Sequence, residues 1–463
     1  MPISFDEHFE RASKARNDRN FAEAHAAFEA ALAATHIPHE RALALNGLAD
    51  CCFVNKQNER ALDLMDQAIA ACLPHPDAET PANDRIAHIL ATVWFDKGIV
   101  LRVSSRDEEA LVVFNESLRR FLDRADVEIV RDDSTPNLRH VIVETLSMKG
   151  STLHSLERLQ EAFDCYEDLI RRFKEVKAIR VQKLVARAMC RRARLFGKLG
   201  RRDKEIAGYD ELVGSFASSK NPDITETVLD ALERKMGIYR DQEDLEMVIE
   251  ICDDIVRRYE EDTHWRTADT VARTMIRQAV ALGKRGEHGK EIANYDRVAR
   301  QYGGSPEWML RIHAAKALMF KAVTLNDADQ GAAEMECYDE VLRRFAEDAR
   351  PEVRAVAADA LIYKGMSLGV IAEDAAEDTG VREIEAEIAC YDEVVARYGE
   401  EHPIVLRRAV AEALLHKAET LLEAGRTGDG SASLELLLSR YAAIEDEEIQ
   451  DTVKEARTLK AEI

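Results

Sequence analysis

The stretch CYDEVLRRF, Cys337–Phe345, returns almost unchanged as CYDEVVARY at Cys390–Tyr398. The same phrase recurs as CYEDLIRRF from Cys165, GYDELVGSF from Gly208, ICDDIVRRY from Ile251 and NYDRVARQY from Asn294. Taking its second residue as an anchor gives Tyr166, Tyr209, Cys252, Tyr295, Tyr338 and Tyr391, with weaker copies at Phe28, Met65, Phe114 and Leu434. The nine spacings are 37, 49, 52, 43, 43, 43, 43, 53 and 43 residues. A period held this closely assigns one supersecondary unit to each anchor, ten units in all. The spacing of 53 is the same unit with ten extra residues, near GVIAEDAAEDTG, Gly369–Gly380.

Sixteen residues before the anchor stands a small residue: Ala12, Ala49, Gly98, Gly150, Ala193, Ala279, Ala322, Ala418 and, counted across the insertion, Gly365. Met236 is the exception. Thirteen before the anchor the residue is apolar, as at Leu153, Phe196, Tyr239, Leu282, Leu325, Leu368 and Leu421; twenty before it Leu146, Met189, Leu232, Met275, Leu318, Leu361 and Leu414 recur. These are positions i, i+4 and i+7 on one face of a helix. Gly200, Gly286 and Gly425 fall where a left-handed cap would end it. A second helix then carries the anchor phrase, so each unit is an antiparallel helix pair. The chain divides into irregular repeats over 1–140, regular ones over 141–441 with the insertion near 369–380, and a polar capping helix over 442–463.

A small residue, an apolar one three later, often Gly seven later and an aromatic sixteen later is similar to the tetratricopeptide repeat. Ala24, Ala61, Ala110 and Ala162, four before their anchors, complete the pattern. The resemblance implies an all-α, right-handed α-solenoid of about ten helix-turn-helix repeats with a C-terminal capping helix. It also implies first helices lining a concave groove, and a protein-protein interaction scaffold or adaptor as the function. Two departures stand out: the period is longer than usual, and a cation often precedes the small residue. Lys97, Lys149, Arg192, Lys235, Lys321, Lys364 and Lys417 recur with Asn115, Glu167, Asp210, Asp253, Asp339, Asp392 and Glu435 directly after the anchor. The expectation is a ladder of salt bridges within each repeat, Lys364 to Asp392 among them.

Composition narrows the function. Ala, Leu, Glu and Arg dominate and aromatics are only 6%, which favours helix over sheet. A net charge of −23 argues against a general nucleic-acid coat or adhesion to anionic lipid. Eight cysteines contain no CxxC and none has a His at zinc-ligand spacing. The start, MPISFDEHFERASKARN, has no apolar run after its charges, and no window approaches the roughly 18 apolar residues of a membrane span. A cytoplasmic chain with reduced thiols and no membrane contact is expected. GKRGEHGK, Gly283–Lys290, has the wrong glycine spacing for a phosphate loop, and NDADQG from Asn326 lacks the calcium-loop ligand order. With no HExxH and no GxSxG, neither an enzyme, a cofactor nor a metal is expected.

One stretch runs against the acidic background. From Arg171 to Lys204, 14 Lys or Arg stand with two acids, a net charge of +12 over 34 residues. Arg187, Arg191, Arg194 and Lys198 fall at i, i+4, i+7 and i+11, a stripe on the first helix of the fifth unit. Arg234, Arg240, Arg273, Arg277, Lys284 and Lys316 extend the set through the next three units. If first helices line a groove, these ten cations are candidate contacts for an acidic protein or peptide partner. The alternative is ordinary charge balancing. Aromatics are too sparse beside the island for base stacking, which leaves nucleic acid a minor alternative there. Trp265 and Trp308 lie between units and are expected to staple neighbouring repeats. Two rival readings remain. One is head-to-tail self-association of the basic island with the acidic stretch Glu373–Glu401. The other, by likeness to bacterial tetratricopeptide proteins with similar YDEVV phrases, is a regulatory subunit of a defence or stress effector.

Overall fold

A computed structural model of the chain describes residues 4–73, 84–127, 137–373 and 377–463. Among the described residues the regular structure is helical, and it falls into two compact units, Met1–Leu232 and Glu233–Ile463. Unit 1 contains α1 (Phe5–Asn17), α2 (Phe21–Ala33), α3 (Pro38–Val54), α4 (Asn58–Cys72), α5 (Asp84–Val103), α6 (Asp107–Val127), α7 (Leu138–Ser155), α8 (Leu159–Phe173), α9 (Ile179–Lys198) and α10 (Arg202–Phe216). The division falls within α11 (Pro222–Asp241). Unit 2 continues with α12 (Leu245–Tyr259), α13 (Trp265–Lys284), α14 (His288–Tyr302), α15 (Trp308–Asp327), α16 (Gly331–Phe345), α17 (Pro351–Glu373), α18 (Glu377–Tyr398), α19 (Ile404–Glu423), α20 (Thr427–Tyr441) and α21 (Glu447–Glu462). Consecutive helices pack as the antiparallel pairs expected from the period, and α21 follows the last pair. Compactness therefore divides the chain in two, whereas repeat regularity changes near 140.

Each pair is built around its anchor. Tyr166, Tyr209, Tyr295, Tyr338 and Tyr391 are among the largest fully buried side chains, together with Phe28 and Phe114. The small residue is small because the anchor ring lies on it. A Cβ added at Gly150 would stand 2.6 Å from the Tyr166 ring, and one at Gly365 2.8 Å from Tyr391. The one exception to the small-residue rule is a size exchange. Cys252 is a small anchor, and Met236 fills the vacated space, with the Cys252 thiol 3.3 Å from the Met236 sulfur.

A second buried position was not anticipated. Glu205, Glu291, Glu334 and Glu387 stand four residues before a tyrosine anchor, where the early repeats carry Ala, and all four are buried. Each accepts the anchor hydroxyl: Tyr209 at 3.1 Å, Tyr295 at 3.3 Å, Tyr338 at 3.1 Å and Tyr391 at 3.0 Å. Three accept a second hydroxyl from the next first helix, namely Thr324 to Glu291 at 3.0 Å, Ser367 to Glu334 at 2.6 Å and Thr420 to Glu387 at 2.7 Å. A glycine makes room for the carboxylate, since a Cβ at Gly197, Gly283 or Gly369 would meet Glu205, Glu291 or Glu387. Burial raises the Glu387 carboxyl above its ordinary range.

The cation ladder exists, but between repeats rather than within them. Lys321 pairs with Asp296 at 2.7 Å, Lys364 with Asp339 at 2.5 Å, Lys417 with Asp392, and Lys460 of α21 with Glu435 at 2.9 Å. In unit 1, Lys97 reaches Asp66 at 2.5 Å, and Arg192 reaches Glu167 at 2.7 Å while also pairing with Glu211 of its own repeat. The expected Lys364–Asp392 pairing is thus replaced on both sides. The physical reason is helical phase: the anchor faces its own first helix, and the next residue, about 100° round, faces the first helix of the following pair. The link joining pair to pair is consequently electrostatic as well as apolar.

The ten inserted residues lengthen helices instead of forming a loop. α17 has 23 residues and α18 has 22, against 20 and 15 in α13 and α14 or in α19 and α20. Residues 374–376 of the insertion lie outside those described. Gly283–Lys290 and Asn326–Gly331 are turns inside helix pairs, as expected. The expectation that no segment has the apolarity of a membrane span needs correction: Pro351–Ala372 is long and apolar enough by length and composition, with a mean hydropathy of 1.4. Asp359 and Lys364 interrupt its apolar run, which hid it from a search for uninterrupted stretches. Within the pair stack its Val353, Ala357, Ala358, Leu361 and Ile362 are core residues.

Candidate functional site

First helices touch one another as well as their own partners: α3 packs on α5, α5 on α7 and α7 on α9 in unit 1, and α13 on α15, α15 on α17 and α17 on α19 in unit 2. Second helices show no comparable mutual packing among the described residues. Within each unit the first helices therefore form the closely spaced side. Their solvent-facing rows are the natural place for a partner segment.

Four positions of each first helix form that row. On α9 they are Arg187, Arg191, Arg194 and Lys198. Arg187, Arg194 and Lys198 are exposed, and Arg187 and Arg194 have no ion-pair partner among the described residues. Arg191, half-buried, donates to the Ser147 hydroxyl at 3.3 Å. Lys198 approaches Glu157 at 3.8 Å. On the neighbouring α7, burial holds the Glu144 carboxyl above its usual range while Arg180 and Arg187 pull it down. His154 is shifted the other way, first by burial and then by the Lys198 and Arg194 charges. Burial and the positive charge of the row therefore both disfavour the protonated form of His154.

The remaining six candidates lie in unit 2 and differ among themselves. Arg273 and Arg277 share Glu233, at 3.2 and 2.6 Å. Lys284 is exposed without an ion-pair partner among the described residues, Arg240 stands 3.5 Å from its neighbour Asp241, and Arg234 is exposed. Lys316 is exposed beside Asp359 and Glu412. The structure therefore brings together Arg187, Arg191, Arg194 and Lys198 on one helix, pairs Arg273 and Arg277 with Glu233, and leaves Lys284 exposed.

Following the row by the repeat period exposes what the charge search passed over. On α15 the four positions read Lys316, Phe320, Val323 and Asp327; on α17 Asp359, Tyr363, Met366 and Val370; on α19 Glu412, His416, Glu419 and Glu423. The second position covers the anchor of the preceding pair, as Phe320 stacks on Tyr295 and His416 on Tyr391, each with ring centroids 6.0 Å apart. The flanking Glu412 and Glu419 carboxylates, the second hydrogen-bonded at 2.9 Å, lift His416 to about 9, so it is charged at neutral pH. The signal was available in the sequence by stepping along from the basic stripe 43 residues at a time, and 53 across the insertion. Of the two tryptophans, Trp308 stacks with Arg350 of the following repeat, the guanidinium lying 4.7 Å from the ring centre. Trp265 stays 41% exposed and meets its chain neighbours His264 and Arg266. Among the described residues no group of three or more His, Cys, Asp or Glu is placed to hold a metal ion.

Stacked helix pairs with a period of 43 residues, an aromatic anchor over a small residue and a capping helix define an all-α repeat protein. Residues 9–75 match the family model described as tetratricopeptide repeat, and the later helix pairs repeat the same anchor and small-residue pattern. No curated protein matches its sequence. Among solved structures it is similar to yeast Tom70, with 9% identity, 99% of this chain and 96% of that one covered, and a TM-score of 0.34. It is also similar to the apo quorum sensor NprR of B. thuringiensis (12% identity, 73% and 86% covered, TM-score 0.39). A third likeness is to YrrB, described as a TPR protein with an unusual peptide-binding site (13% identity, 48% and 89% covered, TM-score 0.29).

Proposed function

We propose that the chain is a protein-interaction scaffold whose first-helix rows bind extended or helical segments of partner proteins, with α9 as the seat for an acidic segment. The observation that supports this most directly is the pair Arg187 and Arg194, exposed and without ion-pair partners among the described residues in a chain of net charge −23. In such a chain carboxylates to neutralise them abound, yet the fold leaves these guanidinium groups facing solvent. A carboxylate-bearing segment supplies the bidentate partners they lack. Binding along a preformed helical row needs no catalytic group. All eight cysteines are free, which suits a reducing compartment such as the cytoplasm.

The test compares proteins retained by the native chain and by a variant carrying Arg187→Glu, Arg191→Glu, Arg194→Glu and Lys198→Glu, with circular dichroism to show equal folding. The expected result is loss of at least about tenfold for one or a few proteins with acidic segments, since removing a charge-assisted hydrogen bond costs roughly 1–3 kcal/mol. An unchanged set would mean that the stripe only balances charge.

A further inference from the structure

In unit 2 the same row changes chemistry from pair to pair. α15 presents Phe320 and Val323, and α17 presents Tyr363, Met366 and Val370, the last 63% exposed. Large apolar side chains gathered on one face mark an interaction surface, whereas single ones do not. On α19 the row turns acidic. Between α17 and α19 lie two hollows. One, about 540 Å³, is bordered by Lys316, Asp359, Tyr363 and Glu412; the other, about 790 Å³, by Met366, Val370, Ile384, His416, Glu419 and Leu459. The larger hollow is lined mainly by apolar surface, and carboxylates border both.

Among the described residues bordering the two hollows the cations are Lys316, Arg408 and His416, and Arg408 is already held by Asp446 and Glu448. Asp359 and Glu423 have no hydrogen-bond or ion-pair partner among the described residues. Glu412 and Glu419 have only His416 between them, at 3.9 and 2.9 Å. Lys316 borders the smaller hollow and pairs with none of its four acids, Glu352, Asp359, Glu412 and Glu448. Burial, reinforced by Glu412 and only partly offset by Lys316, raises Asp359 to about 6, which leaves its charge under-compensated.

We propose that this face of unit 2 is the docking site for a basic, apolar-anchored segment of a partner protein. Its aromatic or aliphatic side chains seat on Tyr363, Met366 and Val370, and its Lys or Arg lies against Asp359, Glu419 and Glu423. Charge complementarity selects the occupant: the acidic row repels an anionic lipid surface and an acidic segment alike. The inference rests on the scaffold reading and names the chemistry of a second segment, opposite in charge to the one assigned to α9.

A display library of random 16-residue peptides, selected on the full chain, is the probe. Enriched peptides are expected to combine aromatic or aliphatic residues with Lys or Arg. Their retention should fall at least about tenfold on a Tyr363→Ser, Met366→Ser variant and on a Glu419→Lys, Glu423→Lys variant, and should stay unchanged on the Arg187→Glu, Arg194→Glu variant. These positions are exposed or half-exposed, and circular dichroism confirms folding. Recovery of no peptides, of acidic peptides only, or of basic ones indifferent to the unit 2 substitutions overturns the proposal. So does a concentration-dependent increase in mass, by light scattering of the free chain, that the Glu419→Lys, Glu423→Lys variant abolishes, since the occupant would then be a second copy. Loss of acidic partners at α9 without loss of these peptides, or the reverse, separates the two readings.

Discussion

At Tyr391 one hydroxyl decides whether a carboxylate tolerates burial. Glu387 accepts both Tyr391 and Thr420, and the two donors replace the water it gives up. Tyr166 has the same place in its own pair but faces Ala162 where the others have Glu, so its buried hydroxyl lies beside the Arg191 guanidinium with no carboxylate to receive it. Tyr391→Phe is expected to destabilise by about 1–2 kcal/mol, and Tyr166→Phe to be neutral or slightly stabilising. Urea denaturation of the two variants measures the difference, and equal losses would disprove a structural role for the carboxylate. The anchor and small positions were legible in the sequence because sterics confine them to few residue types. The buried glutamates were not, since in a chain that is 33% charged they look like surface acids until seen to accompany tyrosine.

At the scale of the helix pair, period and pairing partner are different kinds of information. The period follows from residue identities alone. The partner of Lys364 follows from helical phase, which places Asp339 of the preceding pair beside it and turns Asp392 toward Lys417. A double-mutant cycle is expected to give about 0.3–1 kcal/mol of coupling for Lys364 with Asp339, and none for Lys364 with Asp392, the range for half-exposed pairs. Coupling of the second pair instead would reinstate a ladder inside the repeat. The insertion was visible only as a count. Its use as extra length in α17 and α18 depends on a turn position that spacing does not fix. The basic stripe was legible as charge at helical spacing, whereas the apolar and acidic rows of unit 2 emerge only when equivalent positions of successive first helices are aligned.

Across the whole molecule, stability is distributed by neighbours. α21 buries Ile449, Val453 and Ala456 against the last pair and carries the final rung of the ladder at Lys460. Deleting 445–463 uncovers that apolar surface. Amide hydrogen exchange in α19 and α20 is expected to quicken at least about tenfold, with α1 to α8 unchanged, as nearest-neighbour stabilisation requires. Uniform acceleration along the chain would instead indicate a single cooperative fold.

The ladder also bears on how the chain is made. Lys–acid links close over 25 residues, hydroxyl–carboxylate links over 33, and across the lengthened pair Tyr398 reaches Ala346 over 52. Emerging from the ribosome, each acid waits only for the next helix before its partner arrives. The nascent chain is thus able to add one finished pair at a time, with little unpaired apolar surface exposed during synthesis.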